Sequence, residues 1–162
     1  FSTKTVEIKG QAYQFKELNP NDVKDLLAVE RAVYDGELPW TKSAFLSEMK
    51  SPFLNLYLGV FQGNELIGFI GARIFGFDCH ITNIAVIPTY QRKNLGTKLI
   101  DEIEDFAIMN RCETLSLEVR ISNQDAQRLY RKLGFQSRKV RKGYYTQTNE
   151  DALDMVKFLE NE

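Results

Sequence analysis

The sequence predicts an α/β domain, a mixed central β-sheet flanked by helices, on three observations. Short β-rich runs alternate with helical stretches along the chain. Residues 81–120 read as strand, helix, strand, a crossover that forces its two strands parallel and lays the helix on one sheet face. No repeat, low-complexity stretch or Pro/Gly/Ser-rich linker divides the 162 residues, so one domain spanning 1–162 is expected.

The elements follow in order. Val6 and Ile8, then Tyr13 and Phe15, alternate across Lys9-Gly10-Gln11, which predicts strand, turn, strand. Asn19-Pro20-Asn21-Asp22 supplies helix-cap chemistry, and Val23, Leu26, Leu27, Glu30, Val33 and Tyr34 have helical spacing up to Gly36 and Pro39. Thr41 is placed to cap a short second helix carrying Phe45, Leu46 and Met49, stopped by Pro52. Two β-rich runs, 54–61 and 66–74, flank the hairpin signature Gln62-Gly63-Asn64-Glu65. A strand at 81–86 closes at Pro88. Leu95, Leu99, Ile103, Phe106 and Ala107 mark one helix face, and 114–120 returns to strand. Ser122 or Asn123 caps a helix with the stripe Ala126, Leu129, Tyr130 and Leu133, ending at Gly134 in a left-handed cap. Strands at 135–140 and 152–158 flank a polar connection.

Composition excludes several classes. Lys plus Arg number 21 against 22 Asp plus Glu, a net charge of −1. Two separated cysteines, Cys79 and Cys112, and one histidine, His80, are too few for a disulfide framework or a zinc site, so no metal is expected. Adjacent on a strand, Cys79 and His80 read as packing or loop residues. No apolar run reaches the roughly 18 residues of a membrane span, and Phe-Ser-Thr-Lys lacks a signal-peptide layout. A soluble, cytoplasmic protein without a membrane partner is expected. The charge is nevertheless split: six acids and two bases in 17–37, seven bases and no acid in 126–149. Two solvated faces or, for the basic run, a phosphate or RNA contact fit that pattern, although the pI of 6.0 is far below that of nucleic-acid-binding domains.

The most informative segment is Asn83-Ile84-Ala85-Val86-Ile87-Pro88-Thr89-Tyr90-Gln91-Arg92-Lys93-Asn94-Leu95-Gly96-Thr97. A strand feeding a polar turn and a helix aims unpaired main-chain N–H groups at one spot, where the helix dipole adds positive potential suited to phosphate. Gly96 permits close backbone approach, Asn94 tolerates left-handed φ and ψ, and Arg92, Lys93 and Lys98 add charge.

Gln91-Arg92-Lys93-Asn94-Leu95-Gly96 resembles the Gln/Arg-x-x-Gly-x-Gly/Ala signature of the GCN-five-related N-acetyltransferase (GNAT) superfamily, with Asn94 in place of its first glycine. The similarity continues through Leu115 to Asn123, Leu129-Tyr130-Arg131-Lys132-Leu133-Gly134-Phe135 and Tyr144-Tyr145, with Leu38-Pro39-Trp40 near the front. These motifs resemble the RimI branch, which acetylates the N-terminal alanine of a small-subunit ribosomal protein. Gly143 and Thr146 depart from that branch, which usually carries Asn before and Pro after the tyrosine pair.

The resemblance implies acetyl-CoA as co-substrate, cradled by Arg92, Lys93, Asn94, Leu95, Gly96 and Thr97. Main-chain groups of Ile84, Ala85 and Val86 would lie at the acetyl group and Asn123 on the pantetheine arm. It implies Glu118 as general base and Tyr130 as general acid, and Trp40, Tyr144 and Tyr145 as substrate residues in two connecting loops. Read alone, Glu118 is a carboxylate on the sheet face shared by Ser116 and Arg120, a solvated position with Arg120 as its candidate partner. Tyr130 and Trp40 alone read equally as core aromatics, and Asn123 as a helix cap. The expected acceptor is a ribosomal protein or another basic N-terminal peptide, with no direct nucleic-acid contact. Rival expectations are a small amine or lysine acceptor and a catalytically silent coenzyme-binding module.

Overall fold

The computed structural model describes residues 1–36, 38–145 and 150–160. Its elements are β1 Lys4–Ile8, β2 Gln11–Glu17, α1 Val23–Val33, α2 Lys42–Met49, β3 Asn55–Gln62, β4 Glu65–Phe75, β5 Asp78–Val86, α3 Leu95–Met109, β6 Thr114–Arg120, α4 Gln124–Lys132, β7 Gln136–Tyr145 and β8 Glu150–Phe158. The eight strands are ordered β1-β2-β3-β4-β5-β6-β8-β7 in one mixed sheet, the expected α/β architecture. The chain groups into two compact units, Phe1–Arg73 with Asn83–Ile103, and Ile74–Thr82 with Glu104–Glu162.

In the first unit the local signals act as read. Lys9 and Gly10 both take positive φ in the β1–β2 turn. Asn19 accepts from the Asn21 N–H while Asp22 accepts from the Asn19 N–H, a reciprocal cap that opens the turn before α1. Thr41 accepts from the Ala44 N–H at 3.2 Å and opens α2. Leu26, Val29, Phe45, Tyr57 and Phe69 form an apolar cluster, with Phe45 edge-on to both Tyr57 and Phe69. The cluster holds α1 and α2 on the strands because helix stripes and the strand face are buried together. Gly68 on β4 is needed for close approach, since a Cβ there would meet the Ala85 carbonyl oxygen at 3.0 Å.

In the second unit β5 and β6 pair in parallel, Asp78 opposite Thr114, Cys79 opposite Leu115 and His80 opposite Ser116. β6 pairs antiparallel with β8, Glu118 opposite Asp154. Three boundaries differ from expectation. β5 starts at Asp78 rather than 81, because Gly76, at φ 61, turns the chain immediately before it and the polar Asp78 and His80 break the apolar run around buried Cys79. β8 likewise begins at Glu150. β7 runs to Tyr145 rather than 140. It is a sheet-edge strand of exposed Arg and Lys residues, made by pairing with β8, and has no apolar stripe for periodicity to detect. Thr146 and residues 147–149 of the polar connection lie outside the described residues.

Candidate active site

In the first unit, residues 84–97 run from the end of β5 into the start of α3. A short 3₁₀ turn, Pro88–Tyr90, is tied to β3 by a hydrogen bond from the Tyr90 hydroxyl to Gln62 Oε1 at 2.6 Å. Gln91 Nε2 donates to the Val86 carbonyl at 2.8 Å, so the loop is fastened to the strand end it leaves. Arg92 and Asn94 both take left-handed backbone, at φ 64 and 63. Asparagine is the non-glycine residue best suited to that region, which explains how this chain replaces the signature glycine. The Asn94 carbonyl accepts from the Lys98 N–H at 3.0 Å, and buried Leu95 anchors the first turn of α3. A Cβ added at Gly96 meets nothing within 4 Å, so the protein's own packing does not require glycine there. A ligand lying against the backbone would.

Trp40 also belongs to the first unit. Its indole packs on Phe45 at 5.3 Å, and its backbone N–H donates to Glu30 Oε1 at 3.0 Å. Glu30 is only 2% exposed, and its Oε2 has no hydrogen-bond partner among the described residues. Burial pushes its carboxyl up to about 7, against the opposing pull of the Trp40 N–H and of Arg31. Sequence periodicity placed Glu30 on the buried stripe without showing that it fastens the segment carrying Trp40. The acids of 17–37 do not form one solvated face: Glu30 is buried, Asp22 caps, Glu17 pairs with the N-terminus at 3.5 Å, and Glu37 lies outside the described residues.

The second unit holds Glu118, Asn123, Tyr130, Tyr144 and Tyr145. Glu118 does not sit on a solvated face and does not pair with Arg120. Its side chain is 10% exposed, Oε2 lies 2.7 Å from His80 Nε2, and Oε1 lies 3.6 Å from Arg141 Nε. His80 is therefore not a mere packing or loop residue, because parallel pairing sets His80 beside Ser116 on the face that Glu118 shares. His80 Nδ1 stands 2.8 Å from Ser116 Oγ, which donates to Asp78 Oδ2 at 2.7 Å, while Thr114 donates to Asp78 Oδ1 at 2.8 Å. The signal in the sequence was the alternation Asp78, His80 beside Thr114, Ser116, Glu118. Opposite Glu118 on β8, fully buried Asp154 is held by Arg138 at 3.1 Å and by Arg141 at 3.6 Å. Arg120 instead meets Glu150 at 3.3 Å and stacks over Tyr145 at 4.3 Å. Contacts with the Ser122 hydroxyl and backbone N–H, then with Arg120, hold the Glu150 carboxyl below its ordinary range and pin the turn after β6.

Asn123 Oδ1 accepts from the Ala126 N–H at 3.1 Å, so the oxygen fills the cap role. Gln127 Nε2 donates to the Arg120 and Ile121 carbonyls, docking α4 on the end of β6. Tyr130 is 9% exposed on the buried stripe of α4 and meets Phe135 edge-on at 5.9 Å. Gly134, at φ 104, ends this helix as expected. Tyr144 and Tyr145 lie on β7 rather than in a connecting loop, edge-to-face at 5.1 Å, with Tyr144 45% exposed. Four of the seven bases in 126–149 meet acids: Arg138 and Arg141 meet Asp154, Lys142 meets Asp151, and Arg128 meets Asp125. Cys79 and Cys112 are both buried and outside any disulfide, and burial pushes both thiols up, so they are packing residues. Among the described residues no cluster of three His, Cys, Asp or Glu is placed to hold a metal, and no helix is long and apolar enough to cross a membrane.

Known proteins are similar to this chain in sequence and fold. N-alpha-acetyltransferase RimI of Mycobacterium tuberculosis is 36% identical over 138 residues, 83% of this chain and 85% of that protein. The crystal structure of the ribosomal-protein-S18-alanine N-acetyltransferase from Escherichia coli superposes with a TM-score of 0.81 at 30% identity, covering 93% of this chain and 96% of that one. PaiA N-acetyltransferase from Thermoplasma acidophilum, solved in complex with coenzyme A, shares the fold at a TM-score of 0.75 and 23% identity, over 91% of this chain and 99% of that one. The acetyltransferase (GNAT) family model matches residues 21–135, and with the left-handed loop into α3 and the strand order already described, the chain belongs to the acetyltransferase (GNAT) family.

Proposed function

We propose that this protein transfers acetyl from acetyl-CoA to the N-terminal α-amine of a protein, specifically the N-terminal alanine of a small-subunit ribosomal protein, with residues 1–162 working as one domain. Family membership makes it an acetyl-CoA-dependent N-acetyltransferase. The acceptor reading is supported by the 30% identical Escherichia coli enzyme, whose acceptor is ribosomal-protein-S18 alanine. The observation that carries the chemistry is Glu118, a carboxylate with a 10% exposed side chain whose Oε2 lies 2.7 Å from His80 Nε2 while Arg141 stands 3.6 Å from Oε1.

Acetyl-CoA, when bound, supplies an activated acetyl thioester. The N–H groups of 92–97, with Arg92 and Lys93, suit its pyrophosphate, Gly96 leaves the backbone open to it, and Asn123 Nδ2 is free of the cap for the pantetheine arm. A peptide α-amine has a reference pKa near 8, so a positioned carboxylate has little work to do near neutrality, and Glu118 takes the proton. Main-chain N–H groups at Ile84, Ala85 and Val86 hold the developing oxyanion, an interaction worth about 3–4 kcal/mol per donor in other acyl-transfer sites. Tyr130 gives a proton to the departing sulfur. Trp40, Tyr144 and Tyr145 hold the acceptor chain. No covalent enzyme intermediate is needed.

The test is acetyl transfer to a panel of peptides and small amines. An Ala-initiated peptide is expected to be the best acceptor and the same peptide with a blocked N-terminus to be inert. Faster transfer to spermidine or to a lysine side chain would replace this reading with the small-amine or lysine reading.

A further inference from the structure

We propose that His80 is a positioning residue for Glu118, holding Glu118 Oε2 so that Oε1 is the oxygen that receives the amine proton, and that Ser116 and Asp78 fix the ring behind it. The inference rests on the reading of Glu118 as general base. It follows from counting protons along the line. Ser116 has one hydroxyl hydrogen, and it is donated to Asp78 Oδ2 at 2.7 Å. Asp78 also accepts from Thr114, so its carboxylate accepts at both oxygens. Ser116 Oγ is therefore left to accept, and His80 Nδ1, at 2.8 Å, must carry the hydrogen. The ring's other nitrogen, Nε2, then faces Glu118 Oε2 at 2.7 Å. The ring is thereby held at both nitrogens, Nδ1 on Ser116 and Nε2 on Glu118.

The geometry also selects the reacting oxygen. Oε2 is held at hydrogen-bond distance, whereas Arg141 Nε stands 3.6 Å from Oε1, beyond that distance. Charged groups near the pair among the described residues include Asp154 on β8, fully buried and paired with Arg138, Asp78 on β5, and Arg120, paired with Glu150. Arg141 stands 3.6 Å from both Glu118 Oε1 and Asp154 Oδ2, so the His80 ring, at 2.7 Å, is the nearer partner of Glu118. A partner of this kind fixes the orientation of a base without touching the substrate.

Three variants of the full chain test this: His80→Gln, which keeps an amide N–H but no charge, Ser116→Ala and Glu118→Gln. For His80→Gln the expected result is a fall in kcat of about tenfold with KM for acetyl-CoA and for an Ala-initiated peptide within about twofold of the parent. The loss falls on kcat and spares both KM values, a split that a merely structural role would not produce. Ser116→Ala lowers kcat in the same way by a smaller amount, and carries the test alone if His80→Gln does not fold. A merely structural role would lower thermal stability and leave the kcat of the folded protein at the parental value. If Glu118→Gln abolishes turnover while His80→Gln and Ser116→Ala keep the parental kcat, the positioning role is overturned and the base stands. If Glu118→Gln keeps near-parental turnover, the base reading falls, and His80's role with it.

Discussion

Glu30→Gln removes a buried charge while keeping its hydrogen bond. The Gln oxygen still accepts from the Trp40 N–H, now 3.0 Å from Glu30 Oε1, and the amide nitrogen takes the place of the unpartnered Oε2. Burial outweighs the Trp40 N–H and Arg31 and lifts the Glu30 carboxyl from its ordinary 4.5 to about 7. The folded protein therefore binds this proton more tightly than the unfolded chain. Its contribution to stability is complete below pH 4.5, declines as pH rises toward 7, and is fully lost above it. At about 1.4 kcal/mol per pH unit the interval corresponds to about 3 kcal/mol. Glu30→Gln is expected to match the parent at about pH 4.5 and to be more stable at about pH 8 by up to that amount. In thermal unfolding this appears as a Tm difference of several degrees, at about 2–4 °C per kcal/mol for a chain of this size. Every other titrating group is shared, so the difference between the two proteins isolates Glu30. A difference that does not change with pH, or a parent that is the more stable at pH 8, would refute the argument that burial dominates at this carboxyl.

Three further outcomes follow from the site. Tyr130→Phe deletes one hydroxyl from a side chain that packs on Phe135, so turnover is expected to fall tenfold or more, by about the weight of a general acid, with Tm little changed; an unaltered rate with a clear loss of Tm would make the hydroxyl structural. Asn94→Gly relieves a left-handed residue at φ 63, and acetyl-CoA affinity is expected to be equal or up to about threefold better, measured by calorimetry, whereas markedly weaker binding would show that the Asn94 side chain contacts the ligand. Asp25 and Asp35 are exposed while Glu30 is not, so an Ala-initiated peptide rich in Arg and Lys is expected to outpace its acidic counterpart by only about threefold, and the margin should shrink with salt.

The fold was legible wherever local chemistry and burial agree. Asn19, Thr41, Asn123 and Gly134 cap as their types and places demand. The loop into α3 was legible for the same reason, since asparagine is the non-glycine residue that best tolerates the left-handed backbone Asn94 adopts. What sequence hid is long-range pairing. The exposed bases of β7 have no stripe, because their order comes from the hydrogen-bond ladder with β8. His80 and Glu118 lie far apart in sequence, and only the parallel register of β5 and β6 makes them neighbours. Arg120 was drawn to Glu150 and Tyr145, partners that alternation along one strand cannot show.

The central claim is transfer to an α-amine with Glu118 as the base, and one competition measures it directly. A peptide beginning with Ala and carrying an internal Lys is incubated with acetyl-CoA and either the parent or Glu118→Gln, and the acetylated positions are located by fragment mass spectrometry. The account requires acetyl on the N-terminal nitrogen with the parent, and a rate at neutral pH lower by roughly two to four orders of magnitude with Glu118→Gln, which still binds acetyl-CoA. Acetyl found on the lysine, or a Glu118→Gln rate near that of the parent, would contradict it.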